Sequence, residues 1–118
     1  QLWVVFGCGG GRDAGKRPKM ASIAEEWADH VVVTDDNPRT ESSEKILADI
    51  VKGFKRREKV FVEGDRSLAI ALTMGRAKPG DIVLIAGKGH ETYQDIQGHK
   101  HHFSDQEQVL MALSGGVG

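Results

Sequence analysis

The sequence predicts an α/β domain with a mostly parallel sheet, and three observations carry that prediction. Four short runs, at residues 2–6, 30–34, 59–62 and 82–86, are almost continuously apolar rather than alternating, as in strands buried on both faces. Segments with apolar residues at helical spacing lie between them, so strands and helices alternate. The loops after the first, second and fourth runs, beginning at Gly7, Asp35 and Gly87, concentrate Gly, Asp, Asn and Arg.

In chain order, Leu2-Trp3-Val4-Val5-Phe6 is the first strand and ends at Gly7. Pro18 suits the first turn of a helix over about 18–29, with Met20, Ile23, Ala24 and Trp27 as its apolar face. A strand over 30–34 leads into Thr34-Asp35-Asp36-Asn37-Pro38-Arg39-Thr40-Glu41. Ile46, Leu47, Ile50, Val51 and Phe54 then mark an amphipathic helix over about 42–54, with Glu41 and Glu44 complementing its dipole. After the strand at 59–62, Asp65 caps a helix whose face carries Leu68, Ala69, Leu72 and Met74 or Gly75. Residues 78–81 form a turn before the fourth buried strand at 82–86. The period then changes to a small antiparallel hairpin, 93–96 with 100–103, turning at Gln97-Gly98. Ser104-Asp105-Gln106-Glu107 is a capping box for a last helix with Val109, Leu110 and Leu113 on one side. Residues 1–113 read as one domain and 114–118 as a frayed tail. Right-handed crossovers between parallel strands make this a Rossmann-like three-layer sandwich with a C-terminal antiparallel hairpin, and ligands of such sheets bind at the carboxyl ends of the strands.

Composition narrows the function. A chain of 118 residues holds one domain with a real core. A net charge of -1 offers no electrostatic case for nucleic acid or an anionic membrane. One cysteine, Cys8, excludes an internal disulfide and fits a reducing, cytoplasmic compartment. No apolar run is long enough to cross a bilayer and no signal peptide is visible. The chain opens directly on a strand, without an initiating Met, and so reads as a piece of a longer protein.

The loop after the second strand holds two carboxylates, an amide and a guanidinium. Pro38 fixes its own φ and pushes Asn37 out of the helical region, which stiffens the loop. Arg39 can grip a carboxylate or phosphate with two parallel hydrogen bonds. The plainer reading is an Asx-turn entering a helix cap. In the first loop, Gly10 to Lys16 matches the G-x-x-x-x-G-K part of a phosphate-binding loop, but Arg17 stands where Ser or Thr would hold magnesium. The dinucleotide pattern fails as well, at Arg12. Arg12, Lys16 and Arg17 make this loop cationic, either to attract an anion or simply as a solvated basic turn. In Gly87-Lys88-Gly89-His90-Glu91, Glu91 can accept from an ammonium or serve as an ordinary turn acid. His99 and His101 share one hairpin face and His102 takes the other, poor geometry for a metal, so no metal site is expected. His90 has no partner in view, and Cys8 reads as packing rather than nucleophile. No catalytic residue is assigned. Arg12 and Arg39 for anions, Asp36 and Glu91 for cations, and Asn37 for either suit a small zwitterion such as an amino acid.

These residues also carry a resemblance. Gly7-Cys8-Gly9-Gly10, Arg12-Asp13 and Gly15-Lys16-Arg17-Pro18, then Asp36-Asn37-Pro38-Arg39-Thr40-Glu41, then Ala86 to Glu91, resemble the C-terminal domain of the Mur ligases over about residues 2–113. The Asn-Pro-Arg form resembles members that add meso-diaminopimelate to the peptidoglycan precursor; lysine-adding relatives differ at the Arg. The resemblance implies an ATP-dependent ligase working through an acyl phosphate on a D-glutamate side chain, which the amino acid's amine attacks. It implies that Arg12, Asp36, Asn37, Pro38, Arg39, Gly87 and Glu91 line the amino-acid pocket. Arg12 would lie near the carboxylate at the reacting end, Asn37 and Arg39 at the distal carboxylate, Gly87 and Glu91 at the distal ammonium. It further implies an N-terminal domain, a central ATPase domain binding most of the ATP and Mg²⁺, and a first strand and helix of this domain, all outside this chain. Two other readings stand beside it: a stand-alone phosphate- or nucleotide-binding module using the glycine loop, and an interaction domain whose loops are only turns.

Overall fold

The computed structural model describes residues 1–11, 14–88, 91–97 and 99–113. Expectations for Arg12, Asp13, Gly89, His90, Gly98 and the tail 114–118 lie outside them.

Four parallel strands form one sheet in the order β3-β2-β1-β4, with β1 at Leu2–Phe6, β2 at His30–Val33, β3 at Val60–Val62 and β4 at Ile82–Ile85. Helices α1 (Lys16–Trp27), α2 (Ser43–Val51) and α3 (Arg66–Arg76) alternate with them. A hairpin of β5 (Tyr93–Ile96) and β6 (His99–His102) and a last helix α4 (Asp105–Leu113) complete the described chain. This is the Rossmann-like α/β sandwich with an antiparallel hairpin that the sequence predicts. The alternation of strand side chains divides the core. Phe6, Val31 and Val33 meet Ala21, Ala28, Ile46, Ile50 and Phe54 from α1, α2 and their ends on one face. Trp3, Val5 and Val32 meet Ala69 of α3 on the other, and α4 packs beside α3. Each fully buried Val or Ile here contributes about 1.5–3 kcal/mol relative to an exposed position.

The caps follow the sequence. Ser42 Oγ accepts from Lys45 N at 3.4 Å, Asp65 Oδ1 from Leu68 N at 3.2 Å, and Ser104 Oγ from Glu107 N at 3.4 Å. A short 3₁₀ turn, Arg57–Lys59, precedes β3 and was not expected.

Several faces differ from expectation. On α1, Met20, Ile23 and Trp27 are exposed, and Ala21 with Ala28 faces the sheet instead. Small side chains let the helix approach closely, and so does Gly53, where an added Cβ would lie 2.0 Å from Pro18 O. On α3, Arg66, Ala69, Ile70 and Thr73 are buried while Leu68 is exposed. On α4, Leu110 and Leu113 are exposed. β4 is a sheet edge rather than a strand buried on both sides: Ile82 and Leu84 are exposed, because α1 and α2 cover β1 to β3 and stop short of it. Glu41 lies before the Ser42 cap, so Glu44 alone supplies the first-turn acid of α2.

Candidate functional site

Because β1, β2 and β4 are parallel neighbours, the loops that follow them open on one edge. The chain proceeds from β1 towards β2 and β3 on one side and returns to β4 on the other, so the strand order reverses beside β1, the usual place for a ligand in such sheets. A groove of about 480 Å³ lies there, lined by Gly7, Cys8, Gly9, Lys16, Asp36 and Gly87 among others. A second depression, of about 390 Å³, lies between Glu25, Lys55 and Lys59, away from the carboxyl ends of the strands. Its Glu25 is spent accepting from Lys55 N and Arg56 N.

Two loops touch across the edge through backbone. Gly10 N donates to Asn37 O at 2.7 Å, and a Cβ on Gly10 would lie 1.8 Å from Pro38 O, so only glycine permits this approach. Pro38 is buried at that contact.

Asn37 is buried, and its amide is fully oriented. Its Oδ1 accepts from Lys88 Nζ at 3.0 Å and from Asp95 N at 2.9 Å; its Nδ2 donates to Glu91 Oε1 at 3.3 Å. Lys88 Nζ, wholly buried, also reaches Tyr93 O at 3.0 Å and lies 2.9 Å from Asp36 Oδ1 and 3.8 Å from Glu91 Oε1. The Asp36 contact is close enough for an ion pair but off the hydrogen-bonding axis. Gly87 adopts φ +116, and a Cβ there would press to 3.3 Å on Asp36 Oδ2. Asp36, Asn37, Gly87 and Glu91 are thus gathered into one cluster.

Arg39 sits in the left-handed region at φ +56, a conformation a non-glycine residue keeps only when its surroundings hold it. The hairpin supplies the hold: Arg39 N donates to Asp95 O at 2.9 Å and Gln97 N to Arg39 O at 2.6 Å. Its Nη1 donates to Gly10 O at 3.0 Å and Asn37 O at 3.4 Å. Among the described residues it pairs with no carboxylate, so its charge is available to an anion.

The expected cationic first loop is different. Arg17 is buried, not presented: its two Nη atoms grip both oxygens of Glu41 at 2.8 and 3.0 Å, and Nη1 also meets Asp49 at 3.0 Å. Glu41 Oε1 further accepts from Gly11 N at 2.9 Å. Lys16 stays exposed. Burial pushes the Cys8 thiol up, and its Sγ lies 3.6 Å from Met20 Sδ, the surroundings of a protonated packing residue. His99, His101 and His102 are exposed, and His102 Nε2 lies 2.8 Å from Glu107.

The Arg17 hydrogen bonds hold Glu41 well below its ordinary 4.5 and lower Asp49 from 3.8. A carboxyl depressed on folding adds stability above its unfolded pKa, and that stability is lost as pH falls. Asp35 runs the other way, since burial raises its pKa and its charge costs stability at neutral pH. The urea midpoint of the chain is therefore expected to drop below about pH 4.5, and Glu41→Gln to flatten that drop. Parallel pH profiles for the two proteins would show that the Arg17–Glu41 pair does not drive it.

Sequence reading passed over Lys88, Arg66 and Asp105. Arg66 and Asp105 form a buried bidentate pair at 2.7 Å, and Arg66 also donates to Asp35 O at 3.0 Å and Ala86 O at 3.2 Å. Lys88 carried one signal, a charge between two glycines just after an apolar run. Arg66 carried none that separates it from a solvated arginine.

The family model described as "Mur ligase, glutamate ligase domain" matches residues 1–89. The chain belongs to the Mur ligase family. The chain is 58% identical over 114 residues to the UDP-N-acetylmuramoyl-L-alanyl-D-glutamate--2,6-diaminopimelate ligase of Haemophilus ducreyi, covering 97% of this chain and 23% of that protein. The same figures hold for the ligase of that name from Pseudomonas aeruginosa. A solved structure of a ligase of that name superposes at TM-score 0.94 with 47% identity, covering all of this chain and 24% of the other. The chain therefore spans about a quarter of the length of these Mur ligases. No described helix is long and apolar enough to cross a membrane.

Proposed function

We propose that this chain is the amino-acid-recognising C-terminal part of an ATP-dependent ligase that adds meso-diaminopimelate to UDP-N-acetylmuramoyl-L-alanyl-D-glutamate in the cytoplasm, as a step of peptidoglycan synthesis. The observation that carries this reading is the charge pattern at the strand ends. Arg39 pairs with no described carboxylate and donates to Asn37 O, while Glu91 Oε1 accepts from Asn37 Nδ2 and Asp36 lies beside the buried Lys88. That pattern complements a ligand with a carboxylate and an ammonium at one end. Arg12, Asp36, Asn37, Pro38, Arg39, Gly87 and Glu91 form the pocket, with Asn37 as much a brace for Glu91 as a ligand donor. In the reaction, ATP transfers its terminal phosphoryl group to the glutamate side chain; the amine then attacks the acyl phosphate, the amide forms and phosphate leaves. Upstream domains supply the nucleotide and sugar sites, and an upstream strand and helix complete this domain.

The glycine loop does not fit Mg²⁺ with a nucleotide. Gly10 N and Gly11 N, the groups that would cradle phosphate, already donate to Asn37 O and Glu41. Arg17, in the place of the magnesium ligand, is locked to two acids. The same facts weigh against a stand-alone phosphate-binding module.

The test is product formation by the full-length protein given ATP, the UDP-linked dipeptide and either meso-diaminopimelate or lysine. Amide product with meso-diaminopimelate, and little with lysine, is expected. The 118-residue chain alone should turn over no ATP. Equal use of both amino acids, or magnesium-dependent ATP hydrolysis by the chain alone, would refute the reading.

A further inference from the structure

Lys88 is the one wholly buried ammonium at the strand-end edge among the described residues, and no role has been assigned to it. Its side chain is 0% exposed. Burying an ammonium costs several kcal/mol unless its charge and protons are answered; here Asn37 Oδ1 and Tyr93 O accept its hydrogen bonds and Asp36 Oδ1 lies within ion-pair range. Asp36 Oδ1 at 2.9 Å and Asn37 Oδ1 at 3.0 Å belong to the loop after β2; Tyr93 O at 3.0 Å belongs to β5. Glu91 Oε1, on Lys88's own loop, is farther at 3.8 Å and its side chain is 39% exposed, against 14% for Asp36.

Two consequences follow from those contacts. The first is orientation. Lys88 Nζ and Asp95 N both donate to the same terminal atom of Asn37, so that atom is the oxygen, and the amide presents its NH₂ towards Glu91. Without the ammonium, one of the two anchors of this orientation is lost. The second is charge. Asp36 and Glu91 carry two negative charges and Lys88 one positive, so the cluster holds one uncompensated negative charge. The nearer, more buried acid is the one Lys88 neutralises. The exposed one is left over.

We propose that Lys88 is a positioning residue of the amino-acid pocket: it neutralises Asp36 and fixes the Asn37 amide as a donor, so that Glu91 alone answers the distal ammonium of the ligand. This rests on the function proposed above and names the group that sets the pocket's charge balance.

The experiment uses the full-length protein and steady-state kinetics with all three substrates, on the unmutated form, Lys88→Met, Asp36→Asn and Lys88→Met/Asp36→Asn. Lys88→Met leaves the half-buried Asp36 carboxylate without its cation. It is expected to raise KM for meso-diaminopimelate roughly 100-fold while changing KM for ATP and for the UDP-linked dipeptide by less than about threefold. The double variant removes both charges of the pair, so its KM for the amino acid should return to within about tenfold of the unmutated value. A purely structural role would move all three KM values together. Unchanged KM for meso-diaminopimelate in Lys88→Met, equal rises for all substrates, or a double variant no better than Lys88→Met would each overturn the proposal. Should Lys88→Met not fold, the double variant decides: a folded protein with KM restored as stated supports the pairing, and an unfolded one overturns it. If the unmutated protein does not use meso-diaminopimelate, the proposed function falls and the Lys88 role with it. Normal use by the unmutated protein with an unaffected Lys88→Met removes the Lys88 role alone.

Discussion

Arg39→Ala in the full-length protein is expected to lower kcat/KM for meso-diaminopimelate by roughly 10³-fold, equivalent to about 4 kcal/mol, while lysine use changes little or improves. Meso-diaminopimelate is lysine with one more carboxylate at the far end. If that carboxylate meets Arg39, lysine leaves the guanidinium desolvated and unpaired, and sites built on such a contact reject the stripped analogue by roughly 10⁴-fold. Arg39 cannot easily turn out to water. Its backbone is pinned at φ +56 by the hairpin on both its N–H and its carbonyl, and Pro38 beside it is buried. Arg39→Lys should also be poor, since an ammonium makes no two-pronged contact. The competing account is that Arg39 only braces the Gly10 and Asn37 carbonyls. That account predicts an equal fall for both amino acids. Kinetics of the three proteins with both amino acids decide between them.

How much of this was legible in the sequence depends on the link considered. Strand runs and their loops were readable because continuous apolar runs ending in Gly or Asp leave few alternatives, and parallel order then forces Gly7, Asp35 and Gly87 to one edge. Helix faces were read less well. Met20, Ile23 and Trp27 have the right spacing and the wrong side, because a helix pressed onto a sheet can prefer alanines for closeness over larger side chains for area. Buried charge was not readable. Arg17, Arg66 and Lys88 are indistinguishable from solvated cations until the acids Glu41, Asp105 and Asp36 arrive from segments 24, 39 and 52 residues away. Even for Asn37, which the sequence reading singles out, the sequence did not reveal that its side-chain oxygen would be claimed by Lys88 and a backbone N–H.

Arg66→Ala is expected to destabilise the chain by about 3–5 kcal/mol, a large share of the roughly 5–15 kcal/mol that holds a domain together. The Arg66 side chain is 0% exposed and that of Asp105 8%. Removing the guanidinium leaves Asp105 as a nearly buried carboxylate without its counter-ion, and strips a donor from Asp35 O and Ala86 O. Those two carbonyls belong to the loops that carry Asp36 and Gly87, so the same side chain fastens α4 behind the site and holds two of its three loops in register. Asp105→Ala should cost a similar amount by stranding the cation. Arg66→Ala with Asp105→Ala should cost clearly less than the sum of the two single changes, because no buried charge is left alone, yet some loss should persist from the two abandoned carbonyls. Urea unfolding of the four proteins measures this as a double-mutant cycle. Additive losses, or a cost for Arg66→Ala below about 1 kcal/mol, would mean that water enters and solvates the pair, and that the loops after β2 and β4 are held by their own contacts instead.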